Sequence, residues 1–160
     1  MNPPAQPSGH VHRPRIVLID DELYLTDLLE KLIKRQIGEA TILTFQNRDA
    51  GWQELLRRDP DLLITDMNND NVPGRSEYLG MSGWKMLPML AERAVKYPIL
   101  VVSGSFLIPG VEAEARKCAG RNLNISFMPK PFAPSFFVQE VNRLLAQGDD
   151  SGGRLPSGTP

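Results

Sequence analysis

The chain has 160 residues, the size of one ordinary domain with a single core. Lysine and arginine number 18 against 19 aspartate and glutamate residues, so the formal charge is −1 and no basic excess favours direct binding to nucleic acid. A single cysteine excludes an internal disulfide, and no apolar run is long enough to cross a bilayer. We therefore expect a cytoplasmic protein that does not bind membranes.

Both ends of the chain have the composition of flexible segments. Residues 1–14 are rich in proline, and residues 148–160 are rich in glycine, serine and aspartate. We therefore expect a disordered arm and a disordered tail on either side of one domain at 15–147. His10 and His12 could in principle hold a metal, but two histidines without a third ligand favour a plain arm.

The first half of the chain predicts short buried strands that alternate with helices. Residues 15–20 form an apolar run that ends in an acid, and the leucines after it recur at the spacing of one helical face. Gly38 ends that helix. Residues 41–45 form the next predicted strand, and Asn47 is a suitable N-cap for a helix through Arg58.

The third predicted strand, residues 61–66, is the centre of the functional argument. Apolar and β-branched residues run directly into Asp66, and the polar stretch that follows contains the turn former Pro73-Gly74. The chain therefore leaves the sheet at a carboxylate. Open α/β sheets place their chemistry at this end of their strands.

The second half of the chain continues the same alternation. Ser82 is a predicted N-cap for a helix over 83–96, and Pro134 fits the first turn of the last helix. The remaining predicted elements are strands at 99–103 and 125–128 and a short helix at 111–119 that Gly120 ends. Strand followed by helix, five times over, predicts an α/β fold, a doubly wound three-layer sandwich around a parallel sheet.

This topology brings polar side chains from several strand ends to one rim of the sheet. They are Asp20, Asp21, Asp66, Ser103 and Lys130. Crowded carboxylates repel one another unless a cation compensates them, and oxygen ligands suit Mg²⁺. A metal, a lysine, a hydroxyl and a carboxylate that can attack phosphorus together favour phosphoryl transfer. Taken alone, Asp20 and Asp21 could instead stabilise the start of the following helix.

Five segments, in the same order along the chain, resemble the receiver domain of two-component response regulators. They cover residues 17–22, 60–66, 81–84, 99–104 and 128–132. The resemblance extends over roughly residues 15–147 and implies a flavodoxin-like (CheY-like) sheet with five parallel strands in the order 2-1-3-4-5.

The resemblance also implies roles for the residues at the metal. Asp66 would be the phosphoacceptor and a metal ligand, and Asp21 a direct Mg²⁺ ligand. Asp20 would act mainly through water, and Asn68 would offer its backbone carbonyl.

Two further roles concern the phosphoryl group and the switch that it drives. By resemblance, Ser103 would bond to the phosphoryl group and Lys130 would pair with it, with a cis Lys130-Pro131 bond. Ser103 would then move inward and Phe127 would turn into the space that it leaves. A strand aromatic such as Phe127 is also an ordinary core residue.

The chain departs from the family pattern between Asp66 and Gly83, which are much farther apart than usual. The insertion at 68–81 lies beside the predicted phosphorylation site, and we expect an exposed loop there, with docking or gating as the alternative.

We therefore expect a receiver module that takes a phosphoryl group from a sensor histidine kinase or a phosphotransfer protein and signals to a protein partner. It would not be an enzyme beyond its own phosphorylation and slow hydrolysis, and it would be a monomer or a weak dimer. The alternative is a pseudo-receiver, an interaction domain that is never phosphorylated. A phosphatase of the haloacid-dehalogenase type is disfavoured, because it usually has a second aspartate where this chain has Asn68.

Overall fold

A parallel sheet of five strands forms the centre of the computed structural model, which describes residues 12–67 and 81–150. The strands are Arg15–Ile19 (β1), Thr41–Phe45 (β2), Leu62–Asp66 (β3), Ile99–Ser103 (β4) and Ile125–Pro129 (β5). Their order is β2-β1-β3-β4-β5, which confirms the predicted topology. The inner strands β1, β3 and β4 are buried along their whole length, and this explains why they appear in the sequence as continuous apolar runs.

Five α-helices in the described part of the chain cover the two faces of the sheet. They are Leu23–Ile37 (α1), Arg48–Arg57 (α2), Gly83–Glu92 (α3), Val111–Ala119 (α4) and Pro134–Asp150 (α5). Val17 and Leu63 point to the core under α2, α3 and α4, whereas Leu18 and Ile64 point to the core under α1 and α5. This alternation of side chains builds the three predicted layers.

Apart from shifts of a single residue, two helix ends and one additional element differ from the predictions. Helix α3 ends at Glu92 instead of residue 96, because Ala94 adopts a positive φ of 50° and the chain turns to bury Val95 and Tyr97. A 3₁₀ helix at Gly104–Leu107, which the sequence pattern does not predict, follows β4. Helix α5 runs to Asp150 and so passes the expected boundary at 147. None of the described helices is long and apolar enough to span a bilayer.

Candidate functional site

Three carboxylates meet at the C-terminal ends of the two central strands. β1 and β3 pair with Ile19 beside Thr65, so Asp20 and Asp66, the next residues, lie side by side. One carboxylate oxygen each from Asp20, Asp21 and Asp66 lies within 4.8 Å of the others. Asp20 and Asp66 are buried, whereas the side chain of Asp21 is half exposed. We call these three residues the aspartate cluster.

The aspartate cluster suits a hard divalent cation. All its donors are carboxylate oxygens, the ligands that Mg²⁺ accepts, and the exposed side of Asp21 leaves room for the waters that Mg²⁺ keeps. Asp20 also accepts a hydrogen bond from the backbone of Glu22 at 2.9 Å, so it supports the start of α1 at the same time. Asn68, the fourth predicted ligand, lies outside the described residues.

Lys130 joins the aspartate cluster from the end of β5. Its Nζ lies 2.9 Å from Asp20 Oδ2, 2.8 Å from Glu22 Oε1 and 3.8 Å from Asp66 Oδ1. Burial lowers the pKa of the Lys130 ammonium, but the hydrogen bonds to Asp20 and Glu22 and the charge of Asp66 outweigh burial, and the pKa is raised overall. Lys130 is therefore a permanent cation at neutral pH. The cis Lys130-Pro131 bond is present, as predicted.

A second cation at the site, Arg48, is not predicted by the sequence pattern. Arg48 is the first residue of α2, its side chain is only 5% exposed, and its Nη2 lies 3.4 Å from Asp66 Oδ2 and 3.8 Å from Asp21 Oδ1. A basic residue just after an N-cap normally extends into solvent, so nothing in the local sequence indicated burial. Only the packing of α2 against β1, whose end lies beside the end of β3, shows that this side chain belongs to the site.

Ser103 stands at the end of β4, next to the strand that carries Asp66. Its hydroxyl is buried, donates to Ser105 Oγ at 3.1 Å and accepts from Ser105 N at 3.2 Å. The hydroxyl is thus held by the start of the 3₁₀ helix, and its bond to a phosphoryl group stays a prediction.

Phe127 lies on β5 in a partly buried aromatic cluster. Its ring meets Phe106 edge to face, with centroids 5.3 Å apart, and the guanidinium of Arg116 lies 4.6 Å from the ring centroid. These contacts suit a packing role as well as a switch, and the switch stays a prediction.

His12 lies near the end of the sheet opposite to the aspartate cluster. His12 Nε2 is 3.2 Å from Asp61 Oδ1, just before the opposite end of β3, and His10 lies outside the described residues.

Comparison with solved structures identifies the architecture. The chain superposes on the signal receiver domain of a putative LuxO repressor protein from Vibrio parahaemolyticus with a TM-score of 0.65, at 20% identity over 89% of this chain and all of that one. A CheY-like receiver domain from Methanospirillum hungatei JF-1 gives a TM-score of 0.67 at 15% identity, over 88% of this chain and 100% of that one. The chain has the fold of a response-regulator receiver domain. The resemblance seen in the sequence is confirmed at the level of this receiver fold.

Sequence comparison with curated proteins agrees with the receiver fold. The chain is 24% identical over 144 residues to the sensory transduction protein RegX3 of Mycobacterium tuberculosis, covering 89% of this chain and 56% of that protein. It is 23% identical over 116 residues to a protein-glutamate methylesterase/protein-glutamine glutaminase of Oleidesulfovibrio alaskensis, covering 72% of this chain and 28% of that protein. The chain thus spans about half, or about a quarter, of the length of these relatives. No protein-family model matches it.

Proposed function

We propose that the chain is a receiver module that accepts a phosphoryl group on Asp66 with the help of Mg²⁺. The donor would be a sensor histidine kinase or a phosphotransfer protein, and the phosphorylated form would be read by a protein partner. We place this activity in the cytoplasm. The proposal includes no catalysis beyond the protein's own phosphorylation and the slow hydrolysis of the product.

The observation that carries the proposal is the setting of Asp66. This carboxylate ends the central strand, is buried, and has Lys130 on the side of Oδ1 and Arg48 on the side of Oδ2. Asp20 and Asp21 stand beside it within reach of one divalent cation. A carboxylate that is fixed by the sheet and has a cation beside each of its oxygens is positioned to receive an anionic group.

The residues have separate tasks in this scheme. A carboxylate oxygen of Asp66 forms the bond to phosphorus while the bond between phosphorus and the donor breaks, and the donor keeps the electron pair. Lys130 needs to move only from its present 3.8 Å contact with Asp66 Oδ1 to pair with a phosphoryl oxygen. Asp20 and Asp21, with Asp66, would hold Mg²⁺, which when bound would neutralise charge on the phosphoryl oxygens.

A test with beryllofluoride, which mimics a phosphoryl group on a carboxylate, separates Asp66 from the other acids. We expect ¹⁹F NMR to show bound beryllofluoride in the wild type with Mg²⁺, and no bound signal in Asp66→Asn. Asp61→Asn is the matched control, because Asp61 lies next to the opposite end of the same strand. An unchanged bound signal in Asp66→Asn would overturn the assignment.

One observation favours the pseudo-receiver as a second candidate. Arg48 places a buried positive charge beside Asp21 and Asp66, so the protein itself neutralises part of their negative charge. If the chain is a pseudo-receiver, the wild type would neither bind beryllofluoride nor be phosphorylated by a phosphodonor, with or without Mg²⁺.

A further inference from the structure

We propose that Arg48 occupies the position of the divalent cation between Asp21 and Asp66, so that metal binding must displace its guanidinium. This inference rests on the metal site of the proposed function and adds the residue that sets its affinity. The Nη2 atom of Arg48 contacts one oxygen of each of the two carboxylates that would also hold the metal directly. The guanidinium and the ion therefore compete for the same two ligands.

The guanidinium is held mainly by charge and only weakly by hydrogen-bond geometry. Its distances of 3.4 Å to Asp66 and 3.8 Å to Asp21 exceed the roughly 2.7–2.9 Å of a good arginine–carboxylate bond. Its Nε atom is buried and has no hydrogen-bond partner among residues 12–67 and 81–150. A cation anchored in this way is available for exchange with a stronger one.

Electrostatics favours this exchange over joint occupancy of the site by both cations. A divalent ion bound by Asp21 and Asp66 would stand within a few ångströms of a guanidinium that remained in place, in a buried part of the site. The repulsion would be strong there, because little solvent screens it. Arg48 lies on the first turn of α2, where its long side chain can turn away without unfolding the helix.

The position of Arg48 also explains how the aspartate cluster is stabilised in the metal-free protein. Among the described residues, Lys130 lies within 4 Å of Asp20 and Asp66, and Arg48 lies within 4 Å of Asp21 and Asp66. Buried carboxylates need such a counter-charge. Arg48 thus stabilises the metal-free protein and, for the same reason, lowers its affinity for the metal.

The size of the effect is set by the fraction of molecules in which the guanidinium has left its place. Taking this fraction as about one in ten, the apparent dissociation constant for the metal is about tenfold higher than that of the open site. Removing the guanidinium should therefore tighten metal binding by about tenfold.

The first experiment measures the affinity for Mn²⁺, a paramagnetic substitute for Mg²⁺. The concentration of free Mn²⁺ is followed by electron paramagnetic resonance. We expect Arg48→Gln to bind Mn²⁺ about tenfold more tightly than the wild type. Arg57→Gln is the matched control, because it removes the same charge from the same helix at a side chain that is 79% exposed. It should leave the affinity unchanged. If thermal unfolding shows that Arg48→Gln is not folded, Arg48→Met, which keeps more of the apolar stem, takes its place.

The second experiment separates displacement from a general effect of charge. In wild-type protein with ¹⁵N-labelled arginine, the Nε–H signal of Arg48, assigned by its loss in Arg48→Gln, should shift as Mg²⁺ is added. Tighter Mn²⁺ binding without any movement of this signal would overturn the proposal, and so would equal affinities in the wild type and Arg48→Gln.

These results are independent of phosphorylation. If Arg48→Gln binds metal more tightly but no variant takes up beryllofluoride, the inference holds and the proposed phosphoacceptor function fails. If beryllofluoride binds normally and Arg48→Gln has wild-type metal affinity, the function holds and the inference fails.

Discussion

Gly83→Ala tests how the start of α3 positions Asp66. A Cβ atom at residue 83 would lie 2.6 Å from Met67 Cα, 2.8 Å from the carbonyl oxygen of Asp66 and 2.8 Å from that of Met67. Carbon atoms pack at about 3.5–4.0 Å, so the helix and the strand end must separate by about 1 Å. The obstructing atoms are backbone, so no side-chain rotation can relieve the clash.

The expected cost of Gly83→Ala lies at the upper end of the range for overpacking, about 3 kcal/mol in the free energy of unfolding. For a domain of this size each kcal/mol lowers Tm by about 2–4 °C, so Tm should fall by about 6–12 °C. The displaced end of β3 should also weaken beryllofluoride binding at Asp66.

Thermal unfolding followed by circular dichroism measures the loss, with Gly104→Ala as the control. Apart from its chain neighbours and the backbone of its own helical turn, no described atom lies within 4 Å of a Cβ at Gly104, which has no positive φ. That alanine should therefore be neutral or stabilise by up to about 1 kcal/mol. The reasoning is refuted if Gly83→Ala unfolds within about 0.5 kcal/mol of the wild type.

Three further predictions concern buried polar groups. Lys130→Met leaves Asp20 without its 2.9 Å partner and should lower the free energy of unfolding by about 3 kcal/mol at pH 7. Lys117→Met, which removes an exposed ion pair, should lower it by less than about 1 kcal/mol. Urea unfolding compares the two, and equal losses would contradict the buried pairing. Tyr97→Phe removes a buried hydroxyl that has no partner in the described part of the chain, so stability should stay the same or rise by up to about 1 kcal/mol. Burial raises the pKa of Tyr97 above its usual value. The charge of Asp59 raises this pKa a little further, and the charge of Arg93 lowers it by less than burial raises it. The wild type should therefore keep its full stability below about pH 10 and lose part of it above, when the unfolded tyrosine ionises, and Tyr97→Phe should lack this part of the loss.

The strands and the carboxylate positions were predictable from the sequence for a physical reason. Parallel strands are buried on both faces, so each appears as an apolar run, and the first polar residue after the run marks the strand end. Asp20 and Asp66 occupy such positions on adjacent strands. The helix N-caps were equally predictable, because they depend only on nearby residues: the side chains of Asn47 and Ser82 accept hydrogen bonds from backbone amides three residues later.

The parts that were missed depend on contacts between distant segments. Arg48 enters the site because α2 packs against β1, whose end lies beside Asp66 at the end of β3, and residue 48 alone carries no sign of that packing. Helix α3 stops at Glu92 because burial of Val95 and Tyr97 pulls the chain out of its helical path, although the local residues would permit another turn. The hydrogen bonds of Ser103 with Ser105 likewise depend on the 3₁₀ helix, which is too short to show a periodic pattern.

The central claim, that Asp66 accepts a phosphoryl group, is tested most directly by intact mass after incubation with acetyl phosphate. The wild type and Asp61→Asn should gain the mass of one phosphoryl group when Mg²⁺ is present, and Asp66→Asn should gain none. The added mass should also be lost on heating at alkaline pH, as expected for an acyl phosphate. An adduct that persists in Asp66→Asn, or the absence of any adduct in the wild type with Mg²⁺, would contradict the account.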